Sequence, residues 1–132
     1  MEQAKRTLNL IIISFAIAGI VGAIVLTSVE ISEPPNPDLT DGAVRAAAAF
    51  GAVGLLVALV WVARSGERNV TPNRLLMGFV VRVAIAELGL LMGLLGLFST
   101  GSTTAVYVGL VFFLVSLALL AVGLRRISEE FA

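Results

Sequence analysis

The chain of 132 residues contains no cysteine and no histidine. Their absence removes disulfides, thiol chemistry, histidine acid–base work and the common zinc and haem ligand sets. Charge is scarce too. Nine acidic and nine basic residues make up 14% of the chain and cancel to zero, where a soluble domain carries about a quarter. With no basic excess, a nucleic-acid partner is not expected. No nucleophile–base pair, phosphate-binding loop or pair of catalytic carboxylates stands in the sequence, so neither enzymatic activity, nor a cofactor, nor a metal site is expected.

What the chain has is apolar length. It is 58% hydrophobic with a mean hydropathy of +1.03. Four apolar segments, about 8–27, 44–63, 72–98 and 104–124, each approach the ~20 residues that cross a bilayer. They predict an all-α membrane protein: one four-helix transmembrane domain over residues 1–132. Thr71 reads as the N-cap of the third helix and Pro72 as its first residue. The first segment follows Lys5 and Arg6 as a signal peptide would, but its apolar core exceeds the usual ~7–15 residues, so a retained helix is expected.

Basic residues set an orientation. Lys5, Arg6, Arg64, Arg68, Arg74, Arg125 and Arg126 fall on one side of a four-crossing chain, and only Arg45 falls near the other. The positive-inside rule then predicts both termini and the central loop in the cytoplasm. The strong preference for Arg over Lys suggests a GC-rich bacterial genome, hence a bacterial inner membrane. Glu30, Glu33, Asp38 and Asp41 crowd the first loop among prolines without regular ligand spacing, which reads as a solvated linker. Trp61 reads as an interfacial anchor.

The most informative residue is Glu87, inside the third apolar run. An ionised group near the bilayer centre costs at least ~2.5–3.5 kcal/mol, so it needs a partner, a proton or a wet cavity. Arg82 is the candidate charge partner, but it stands five residues away, ~140° around the helix, a poor intrahelical pairing angle. Ser14, Ser116 and Tyr107 are the candidate hydrogen-bond partners. On the same helix Ala86, Gly89, Gly93 and Gly96 form a small-residue stripe that lets a second backbone approach. Gly51 and Gly54 of the second helix offer a matching surface, and Glu87 projects from nearly the opposite face.

The stretch Ala63-Arg-Ser-Gly-Glu-Arg-Asn-Val-Thr-Pro-Asn-Arg74, with Arg82-Val-Ala-Ile-Ala-Glu-Leu-Gly beyond it, resembles the proteolipid c subunit of rotary ATP synthases. The resemblance covers about residues 44–98, a proteolipid-like hairpin within a four-helix protein. It implies Glu87 as the proton-binding carboxylate and Arg68, Asn69 and Pro72 as the polar loop. Val70 and Thr71 interrupt that loop, and the second helix lacks the family's dense glycine repeat.

Two functions are therefore expected. One is a small integral membrane protein that self-associates or stabilises a larger membrane complex, with Glu87 buried and hydrogen-bonded at a helix interface. The other is a proton-binding, proteolipid-like subunit of an oligomeric ring or pore. Both make the chain a homo-oligomer or a subunit, with the lipid bilayer as its solvent.

Overall fold

The structure, a computed structural model, describes residues 2–28, 37–64 and 72–131. It is all-α: α1 (Glu2–Ser28), a short 3-10 turn (Pro37–Leu39), α2 (Thr40–Arg64), α3 (Pro72–Thr100) and α4 (Thr103–Phe131). Each of the four α-helices is long and apolar enough to cross a membrane. Helices satisfy their backbone groups internally, which hydrocarbon demands. Their apolar residues run around the whole circumference rather than along one stripe, as lipid-facing helices require. Glu30, Glu33, Arg68, Asn69 and the Thr71 cap lie outside the described residues.

The turn between α3 and α4 shows how local sequence sets the topology. Gly101 adopts φ 77°, a left-handed conformation that ends α3, and its N–H donates to Leu97 O at 2.8 Å. The Thr100 hydroxyl donates to Gly96 O at 2.6 Å and accepts from the Ser102 N–H at 3.3 Å. Ser102 then caps α4 by accepting the Ala105 N–H at 3.2 Å. Within two non-helical residues the chain reverses, held by these four hydrogen bonds.

α2, α3 and α4 pack closely on one another, while α1 lies outside this trio. It rests on α4 and less extensively on α3, and among the described residues it does not touch α2. The trio owes its closeness to glycine. Near mid-span Gly51, Gly89 and Gly109 bring three backbones together. A Cβ at Gly89 would stand 2.6 Å from Gly51 Cα, and one at Gly109 would meet the Gly89 carbonyl oxygen. A Cβ at Gly54 would lie 2.8 Å from Ala86 Cα, and one at Gly93 2.6 Å from Ala105 O. Any larger residue there would separate the helices, because packed interiors leave no slack for an added methyl.

One end of the trio is pinned by Trp61. The indole is buried, and its Nε1–H donates to Leu120 O on α4 at 3.2 Å. Phe79 of α3 meets it edge-on at 5.8 Å, and the Arg82 guanidinium lies over its face at 4.6 Å. This buried position replaces the interfacial anchor expected for Trp61. Gly123, facing the indole, supplies the space that lets the ring turn inward.

Candidate functional site

Glu87 lies midway along the α3 span, which runs Arg74–Thr100. Because Gly89 faces α2 and α4, Glu87, 200° further back around the helix at 100° per residue, faces the side where α1 lies. There it lines a notch of about 160 Å³ between α1 and α3, whose other walls include Phe15, Ala18, Gly19, Gly22, Leu91 and Leu94. Small residues on α1 create the notch: a Cβ at Gly22 would find no atom within 4 Å. Gly19 is closed off by Phe113 and Leu90, whose side chains reach to within 3.1 and 3.4 Å of where its Cβ would be.

No charged residue is buried among the described residues, and Glu87 is half-buried. Within the chain the hydrogen bond expected at Glu87 is not made: no described residue donates to it. The physical reason is the wall opposite. Ala18, Gly19, Gly22 and Ala23 bring no donor, and the serines turn elsewhere.

Ser116 is buried but donates to Phe112 O on its own helix at 2.7 Å. Ser14 is exposed on α1, outside the notch. Tyr107 is exposed near the far end of α4, where its hydroxyl and that of Thr27 on α1 are 3.2 Å apart. Arg82 folds back along α3, donating from Nη1 to Gly78 O at 2.9 Å, under the indole of Trp61. Carboxylate and guanidinium therefore diverge on the same helix. A cation–π contact of this kind is worth ~0.5–2 kcal/mol and stabilises the half-buried Arg82.

The small residues named from the sequence are placed as follows. Gly54 opposes Ala86, Gly51 opposes Gly89, and Gly93 and Gly96 meet Ala105. Gly96 also meets Ala43, whose Cβ lies 2.8 Å from where a Cβ added at Gly96 would stand. Sequence reasoning missed Gly109, though it follows Ala105 by four residues in the small-x-x-x-small spacing that marks such seams. It also missed the Trp61–Arg82–Leu120 arrangement, for which neither helix alone carries a signal.

At the Arg74 end of the bundle Arg6, Arg64, Arg74, Arg125 and Arg126 are exposed, and Arg126 also donates to Val62 O at 3.2 Å. At the opposite end Asp38, Asp41 and Arg45 are exposed. Near that end a cleft of about 290 Å³ between α2 and α3 is lined by apolar side chains with Ser99 and Thr100 at its edge. No three acidic side chains among the described residues gather as a metal-ligand cluster. Neither a protein-family model, nor a curated protein, nor a solved structure matches the chain.

Proposed function

We propose that this chain is a non-catalytic helical unit of a membrane assembly and meets its partner through the α1/α3 face that carries Glu87. One observation carries the reading: a mid-span carboxylate borders an open notch and receives no hydrogen bond from any described residue. Its ionised form costs at least ~2.5–3.5 kcal/mol at that depth, and a docked neighbour with a donor lowers that cost. The mid-span glycines of α2, α3 and α4 are already packed within the bundle, which leaves the α1 side for association. The arginine-rich end faces the cytoplasm in this reading, with the protein in a bacterial inner membrane.

A hydrophobic carbodiimide, read by mass spectrometry, tests it. Glu87 is expected to be protected in native membranes and to label once the protein is diluted into detergent. Equal labelling in both would sink the reading.

Proton binding is the second reading. It is favoured by the volume of the notch, which is enough for a few waters at ~30 Å³ each beside the carboxylate. Glu87→Gln keeps hydrogen bonding but cannot titrate. Assembly that survives this change while proton flux into liposomes is lost would favour the second reading over the first.

A further inference from the structure

We infer that the partner at the Glu87 notch is a second copy of this chain, whose Ser14 hydroxyl donates to the Glu87 carboxylate. The inference rests on the assembly reading above and names the occupant of that face. Two deep polar side chains lack partners among the described residues, and they complement each other. Of the hydroxyls far from the span ends, Ser116 is bonded to its own helix, whereas Ser14 makes no hydrogen bond to a described residue and is exposed. Glu87 is the acceptor without a donor.

Their depths agree. Gly19 stands beside Leu90, so Ser14, five residues earlier on the parallel α1, is level with residue 85 of α3. That is two residues from Glu87, ~3 Å in depth at 1.5 Å per residue, within reach of a glutamate side chain that leans toward its helix N-terminus. Within one copy the two do not meet: Ser14 is exposed, one turn before Ala18, at the edge of the notch and outside its lining.

The flank carrying Ser14 also lets backbones approach. Ser14, Ala18 and Gly22 succeed one another at four-residue steps, and Ala18 is exposed at the rim of the notch. Arg82 is not the donor in a neighbouring copy, because its guanidinium is turned away to Gly78 O and Trp61. The arginine-rich end gives all copies one orientation, so Ser14 of one copy meets Glu87 of the next at the same level.

The absence of native cysteine makes the test direct. Full-length chains carrying Ser14→Cys and Leu91→Cys are co-expressed and oxidised in membranes; Leu91 lines the notch and is exposed. A disulfide-linked dimer is expected from this pair, and at least ~10-fold less when Val53→Cys, exposed on α2, replaces either member. In lipid, Ser14→Ala should weaken association ~3–10-fold, as a lost interhelical hydrogen bond does, and Ser14→Thr should restore it.

Cross-linking through Val53 but not through the Ser14–Leu91 pair would overturn the inference and leave the assembly reading standing. So would weakened association in Glu87→Gln with none in Ser14→Ala. A single-chain mass in lipid, together with Glu87 labelled equally in native membranes and detergent, would remove both.

Discussion

α1 and α4 are similarly apolar, yet 11% of an 18-residue apolar stretch of α1 is buried in the bundle against 44% of an equal stretch of α4. In water, equal apolarity would drive both inward. In a bilayer the lipid tails solvate Leu and Ile as well as other helices do, so apolarity decides insertion and not packing. What separates the two helices is where small residues meet a partner. Gly109 and Gly123 of α4 face Gly89 and Trp61, whereas Gly22 of α1 faces open space. The trio is a close-packed core, and α1 is an attached helix that leaves a notch.

That contrast can be broken most severely at the three-glycine crossing. Gly89→Val puts branched carbons against the Gly51 backbone and should cost about 3 kcal/mol, the upper end of overpacking effects. Unfolding in mixed detergent–SDS micelles, followed by circular dichroism, measures it. A midpoint unchanged from the parent would mean that the trio is not held by this crossing.

Gly123→Val comes next, with ~2 kcal/mol expected from a displaced indole, a lost Leu120 hydrogen bond and a weakened cation–π contact. Trp61 is the sole tryptophan, so its emission should shift to the red as the ring leaves its buried site. Unshifted emission would contradict the pinned geometry.

Effects on α1 should be small. Tyr107→Phe removes the hydroxyl beside Thr27 and should cost ~0.6 kcal/mol, an average value for such bonds in membranes. Amide exchange should speed up in the last turns of α1 and nowhere in α2. Uniform exchange changes across all four helices would argue that α1 belongs to the core.

Gly22→Ala acts in the opposite direction. The added methyl meets nothing within 4 Å, and alanine is the better helix former, so stability should rise by up to ~1 kcal/mol. Gly22 and Gly89 together give the sharpest form of the comparison, since one substitution should stabilise and the other disrupt.

Four helices were legible because an apolar run of about twenty residues has few other fates. The opposed faces of Glu87 and Gly89 were legible too, since two residues on a helix point ~200° apart at 100° per residue. The peripheral position of α1 was not. Its Ala18, Gly19, Gly22 and Ala23 look as suited to close packing as Gly51 and Gly54 do, and only the shape of the facing helix decides between them. Trp61 misled for a related reason: an aromatic at a helix end reads as an interfacial anchor until Gly123, 62 residues later, is seen to make room for it.

The separation of α1 from α2 also orders events in time. Synthesis delivers α1 first, yet every described helix contact it makes is with α3 or α4. The hydroxyl that Thr27 meets belongs to Tyr107, 80 residues downstream. At ~5–20 residues per second, α1 waits several seconds in the bilayer with neither neighbour made. Throughout that wait Ser14 and the small residues beside it are open to whatever helix diffuses past, including the α1 of a chain being made on the next ribosome.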